Sequence, residues 1–194
     1  RPTPHPFPKK EHFRCSFLLH PLSVRMRNPE FVKAAFSAIA TRYVATNHVL
    51  SMGVDLLWRQ RVVQLVSAWK PERLLDLATG TGDLALAILR AMPEIRLTGS
   101  DFCQPMLDVA AERGLTNLVC ADAMNLPFPS ASYDAVTVAF GLRNMASYPD
   151  ALKEMGRMLR PGGHLLILDF SLPENLLKRP YRFYLHRILP LIAG

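Results

Sequence analysis

Thirteen residues, Leu74 to Leu86, read LLDLATGTGDLAL and constrain the fold more than any other part of the chain. The apolar run 74–78 has the length and flanks of a buried parallel strand, Thr79-Gly80-Thr81-Gly82 interrupts it, and a helical pattern starts at Asp83. The segment is therefore read as strand, glycine turn and helix. Gly80 and Gly82 allow the backbone to turn tightly and to approach a ligand, since a side chain there would block either the conformation or the approach. With Ala85 they fill G-x-G-x-x-A, a spacing found in dinucleotide-binding turns and also in ordinary strand-to-helix turns. The stretch points to a nucleotide-like ligand without identifying it.

The same alternation continues downstream. A helix over 83–91 is stopped by Pro93, a strand over 95–101 ends in Asp101, and a helical segment covers 104–113. A short strand, 118–120, runs into Asp122-Ala123 and then Leu126-Pro127-Phe128. Another, 133–140, ends in Gly141-Leu142-Arg143-Asn144; a helix over 149–159, a turn at Arg160-Pro161-Gly162-Gly163 and a fifth strand over 164–170 follow. Strands alternating with helices at this spacing predict a doubly wound, Rossmann-like α/β sheet. Ligands of such sheets lie outside the carboxyl ends of the strands. Asp101 then falls beside the glycine turn, where it can accept two ribose hydroxyls or cap the helix at 104. Asp122 can accept from an exocyclic amine, with apolar neighbours against a purine face.

Three regions are expected: a disordered extension over 1–25, a helical lid segment over 26–70, and a ligand-binding core over 71–194. The extension holds five prolines with no helical period, and Met26 reads as the natural start. Helical spacing of Phe31, Ala34, Ala35, Ala38, Ile39 and Tyr43, and then of 55–69, defines the lid segment. Residues 1–25 supply +4 of the net charge of +7, leaving +3 for the rest, and no basic run is interleaved with aromatics. Nucleic-acid binding is not expected. Three dispersed cysteines suggest neither a disulfide frame nor a zinc site, and the acids lack a His/Cys cluster, so no metal is implied and a reducing cytoplasm is favoured. No apolar run approaches the roughly 20 residues of a spanning helix. Residues 176–192 mix basic with apolar and aromatic side chains, which predicts an amphipathic lid with peripheral contact at the inner membrane surface.

Together these motifs resemble the class I S-adenosylmethionine-dependent methyltransferases. More narrowly, FSAIATRY with NHVLSMG and W-R over 36–59, FGLRN over 140–144 and RPGGHLLILDFSLP over 160–173 resemble the C-methyltransferase family of menaquinone and ubiquinone biosynthesis. The resemblance runs from about Met26 to the last residue. It implies S-adenosylmethionine as cofactor and a prenylated quinol as substrate. It places cofactor contacts on Gly80, Thr81, Gly82, Asp101, Asp122, Ala123 and Ala139, the last at a position where the family often has serine. It also implies two further strands after the fifth, whereas the sequence ends at Gly194. A quinol carbon becomes nucleophilic when its hydroxyl loses a proton, so the site needs a base or a cation that stabilises the phenolate. Arg143, just beyond the fourth strand, is the first choice, with Tyr43 and His48 of the lid segment second. Two alternatives stand beside this reading: a nicotinamide-dependent oxidoreductase, which G-x-G-x-x-A and Asp101 allow, and a non-catalytic cofactor-binding remnant. The choice of quinone, its tail length and the oligomeric state are left open.

Overall fold

A computed structural model describes residues 54–169 together with Glu30. Tyr43, His48, the extension over 1–25 and the basic segment over 176–192 lie outside the described residues. In chain order the elements are α1 (Val54–Trp69), β1 (Arg73–Leu77), α2 (Asp83–Ala91), β2 (Arg96–Asp101), α3 (Gln104–Glu112) and β3 (Leu118–Cys120). β4 (Tyr133–Ala139), a short 3-10 turn (Leu142–Asn144), α4 (Tyr148–Met158) and β5 (Leu159–Leu168) complete them. The five strands form one parallel sheet in the order β3-β2-β1-β4-β5. The order reverses between β1 and β4, which is where a doubly wound sheet opens a crevice.

Alternation along the central strands assigns each helix to a face. In β1, Leu74 packs with Val62 and Val66 of α1 and Leu84, Ala85 and Ile88 of α2, while Leu75 and Leu77 pack with Met155 and Met158 of α4. β4 behaves alike, with Ala135 on the first face and Val136 and Val138 on the second. Both faces are covered, so the strands read as apolar runs in the sequence. Asp76 and Thr137 share the first face, and that polar pair marks where packing gives way to another purpose.

The structure differs from the sequence reading at β5. The strand begins at Leu159, not at residue 164, because Arg160–Gly163 bulges out within it: Tyr133 faces Leu159, and two residues later Ala135 faces His164. Gly162 takes a left-handed conformation there (φ +81°), and a Cβ on Gly163 would stand 3.0 Å from the carbonyl oxygens of Arg160 and Asp134. Sequence spacing cannot distinguish a turn before a strand from a bulge inside one, since both use the same glycines.

At the reversal point β1 and β4 come unusually close beyond their ends. A Cβ on Gly141 would lie 2.3 Å from Cβ of Ala78, so only glycine fits. Gly141→Ala should lower stability by on the order of 2 kcal/mol through this overlap, measured by denaturant unfolding. Ala78 itself has φ +50°, which glycine adopts without strain, so adding Ala78→Gly should restore most of the loss. A single variant as stable as the wild type would show that the two strand ends are farther apart.

Candidate active site

The sequence after β1 curls back on itself. Ala78 (φ +50°), Gly80 (φ +55°) and Gly82 (φ +82°) are all left-handed, and the Gly82 amide donates to the Thr79 carbonyl at 2.9 Å. The curl aims the Gly80 amide at Asp101, whose Oδ2 accepts it at 2.9 Å, while Oδ1 accepts the Cys103 amide at 2.9 Å. Asp101 thus ties the glycine turn to the exit of β2. It is buried, and burial raises its carboxyl above the usual range, against the opposing pull of the Cys103, Gly80 and Phe102 amides.

Behind the turn, Asp76 accepts from the Thr79 hydroxyl at 2.7 Å and from the Thr137 hydroxyl at 2.6 Å. One carboxylate therefore couples the start of the turn to β4. Burial pushes Asp76 up to about 6; the two threonine hydroxyls oppose the shift, neighbouring Asp101 adds to it, and Arg59 opposes it.

In front of the turn lies a cavity bounded by the carboxyl ends of β1, β2 and β4. Gly80, Asp101, Asp122, Ala123 and Ala139 all line it, so five of the seven cofactor positions read from sequence converge on one space. Thr81 and Gly82 do not line it. The curl carries Thr81 inward until it is 1% exposed, with its carbonyl accepting from Arg113 at 2.7 Å, and Gly82 packs near Ala110 and Leu115 as α2 begins. Asp122 is exposed; its Oδ1 accepts the Met124 amide at 2.9 Å, which shapes the short turn after β3. That turn is fastened to α4 by Arg157, which donates to the Leu126 and Phe128 carbonyls at 3.0 and 2.8 Å, and by Glu154, which accepts the Leu126 amide at 2.8 Å.

Arg143 does not line the cavity. Its guanidinium pairs with Asp169, just past β5, although Gly141 and Asn144 on either side of it do line the wall. No local pattern in the sequence marks an acid beyond the next strand as its partner. Further lining residues were also missed: Ser100, Phe102, Met106 and Phe140. Ser100 is legible in hindsight as the residue preceding the strand-end acid, whereas Met106 reaches the cavity only because α3 starts directly after β2.

This geometry meets an independent finding. The model of the ubiE/COQ5 methyltransferase family matches residues 24–194. The chain belongs to the ubiE/COQ5 methyltransferase family. Among its relatives, the demethylmenaquinone methyltransferase of Thermus thermophilus is 48% identical over 165 residues, which are 82% of this chain and 75% of the relative. The ubiquinone/menaquinone biosynthesis C-methyltransferase UbiE of Geobacter sulfurreducens is 41% identical over 174 residues, 85% of this chain and 68% of the relative. In fold, the chain resembles the plantazolicin methyltransferase BpumL, solved with S-adenosylhomocysteine, with a TM-score of 0.60 at 15% identity over 85% of this chain and 70% of that one. The chain is thus a methyltransferase of quinone biosynthesis that uses S-adenosylmethionine, and not a nicotinamide-dependent oxidoreductase.

The cavity fits this cofactor on its own terms. Ser100 is 1% exposed, and its Oγ has no hydrogen-bond partner among the described residues although the residue lines the space. A Cβ placed on Gly80 would meet nothing nearer than the Met106 methyl at 3.9 Å, so the turn leaves room above it. A strand-end carboxylate suits vicinal hydroxyls, and Phe102, Met106 and Met124 offer apolar surface to a flat base.

Asp76 gives a pH signature. Its folded pKa, about 6, lies above the usual 3.8, so its contribution to stability is fully present below pH 3.8 and is lost as pH rises through about 6. The shift corresponds to roughly 3 kcal/mol. Relative to Asp76→Asn, the wild type should therefore lose about that much unfolding free energy between pH 4 and pH 7. Parallel stability profiles for the two proteins would contradict the assignment of a buried, protonatable carboxyl here.

Proposed function

We propose that this chain methylates a ring carbon of a prenylated quinol, with demethylmenaquinol as the first substrate to test. The observation that supports the reading most directly is the 48% identity to a demethylmenaquinone methyltransferase, spread over three quarters of that relative's length. The ubiquinone precursor is the second substrate, favoured by the name of the Geobacter relative.

When bound, S-adenosylmethionine supplies a sulfonium methyl that is already electrophilic. The chain's own task is to bind, align and desolvate. Gly80 and Asp101 would hold the ribose, Asp122 and Ala123 the adenine, and Ala139 the methionine end through its backbone, as it lacks the hydroxyl of serine. Ser100 would add a buried hydroxyl to the ribose side. Thr81 and Gly82 support the turn from behind. The apolar lining of Met106, Met124 and Met145 would limit water around the bound cofactor.

Arg143 is proposed to stabilise the phenolate that makes the ring carbon nucleophilic. Asp169 would fix the plane of its guanidinium, and the five donors of that group allow it to serve an anion in addition to its carboxylate partner. Tyr43 and His48 of the lid segment remain second choices. The domain reading follows the same division: an extension over 1–25, a helical lid segment over 26–70, and a core over 71–194. Peripheral membrane contact through residues 176–192 would bring the site to a lipid-soluble tail. No helix among the described residues is long and apolar enough to cross a membrane.

Arg143→Ala should lower kcat for demethylmenaquinol by about 100-fold, while the Kd for S-adenosylhomocysteine stays within about twofold of wild type. Turnover by the variant equal to that of the wild type would remove Arg143 from the mechanism. Methyl transfer to neither quinol by a protein that binds S-adenosylhomocysteine would favour a non-catalytic cofactor-binding role.

A further inference from the structure

Two adjacent residues of α1 reach the two strand ends that frame the cavity, although neither lines it. Arg59 is 8% exposed, and its Nη1 lies 3.2 Å from Oδ2 of Asp83, the first residue of α2 and the one directly after the glycine turn. The other oxygen of Asp83 takes Nη1 of Arg113 at 2.6 Å, and the same guanidinium nitrogen donates to the Thr81 carbonyl. The turn is thus gripped from outside by two cations through one carboxylate. Next to Arg59, the ring of Trp58 stands 6.2 Å from that of Phe140 at an interplanar angle of 43°, within the range of attractive aromatic pairs. Phe140 lines the cavity at the end of β4 and holds a left-handed backbone (φ +59°). That conformation costs a bulky residue about 1 kcal/mol or more, and such strain persists only where the surroundings enforce it.

We infer that Trp58 and Arg59 are positioning residues that link the seating of α1 to occupancy of the cofactor cavity. Arg59 fixes the glycine turn from behind through Asp83, and Trp58 supports the Phe140 wall. A ligand that engages Gly80 and Asp101 on one side and the end of β4 on the other therefore favures the same arrangement that α1 favours. Linkage makes this reciprocal: α1 correctly seated raises affinity for the ligand, and the ligand seats α1. A buried guanidinium suits the role because separating it from Asp83 weakens an ion pair shielded from water, so the turn and α1 cannot shift independently without loss. Arg59 does not contact the ligand in this scheme. It acts through Asp83.

The inference rests on the methyl-donor assignment of the cavity and not on the identity of the quinol. It can be tested with S-adenosylhomocysteine alone. The chain has two tryptophans, and Trp69 is stacked on His164 at 4.5 Å, away from Phe140, so Trp69→Phe leaves Trp58 as the only indole reporter. Calorimetry first establishes that S-adenosylhomocysteine binds the wild type; failure there would count against the cavity assignment, not against the link. In the Trp69→Phe protein, saturating S-adenosylhomocysteine should shift the Trp58 emission. Adding Arg59→Gln should weaken binding about tenfold and abolish the shift even at saturation, while Arg59→Lys should retain it. A role confined to folding would not give this lysine rescue of a ligand-induced signal. If Arg59→Gln does not fold, as judged by circular dichroism, Asp83→Asn removes the same pair together with that of Arg113; Arg113→Gln, which removes only the second, is its control, and only Asp83→Asn should abolish the shift. A Trp58 emission unmoved at concentrations that calorimetry shows to be saturating would overturn the inference, as would unchanged affinity in a folded variant lacking the pair.

Discussion

Both oxygens of Asp101 hold backbone amides, one from the glycine turn after β1 and one from the residue that opens α3. These two hydrogen bonds set the distance between neighbouring strand ends, and with it the floor of the cavity. The two oxygens offer about four lone-pair sites, more than the neighbouring amides use, so the carboxylate can accept from a ligand hydroxyl without releasing the backbone. The sequence offered ligand contact and helix support as alternatives for this residue. The geometry lets one carboxylate bind the entrance to α3 and still face the cavity. A buried acid with its pKa raised by desolvation remains useful because charged-group hydrogen bonds from rigid amides are among the stronger ones available to a backbone.

The same logic extends one layer down. Asp76 occupies a position on the sheet face where β1 otherwise packs apolar residues against α1 and α2, and its two threonine partners come from the turn and from β4. Replacing that trio with apolar residues would remove a burial cost but would also free the turn from β4. Left-handed Ala78 and Phe140 show where the chain accepts strain. They flank the close approach at Gly141, and the three together bend the two strand ends around the cavity instead of letting them continue straight.

Much of this was legible in the residues because the sheet is buried on both faces. Apolar runs interrupted by glycine or ended by an acid locate β1, β2 and β3 to within about a residue, and Asp83–Ala91 is helical over the span its pattern predicts. Gly80, Asp101, Asp122 and Ala123, which line the cavity, could be read because strand ends in a parallel sheet converge on one side, whereas Ala139 came only from the family resemblance. What could not be read depends on side-chain direction or on distant partners. Thr81 directly follows the cavity-lining Gly80 in sequence, yet the left-handed glycines on each side rotate it into the interior. Arg143 follows the correct strand, but its pairing with Asp169, 26 residues later, has no local signal in the sequence. The W-R pair was visible only as part of a family resemblance; its connections to Asp83 and Phe140 emerge when α1 is laid against the sheet.

On the proposed function, the bend after β1, held by Asp101, carries the adenosyl portion of the methyl donor. Calorimetric titration of S-adenosylhomocysteine into wild type and Asp101→Asn tests it most directly, because the amide would turn a donor toward one of the two backbone N–H groups and disturb the bend together with the hydroxyl contacts. The account predicts saturable one-to-one binding by the wild type and affinity at least about tenfold weaker in the folded variant. Equal affinity in the two proteins, or binding of NADH in place of S-adenosylhomocysteine, would contradict it.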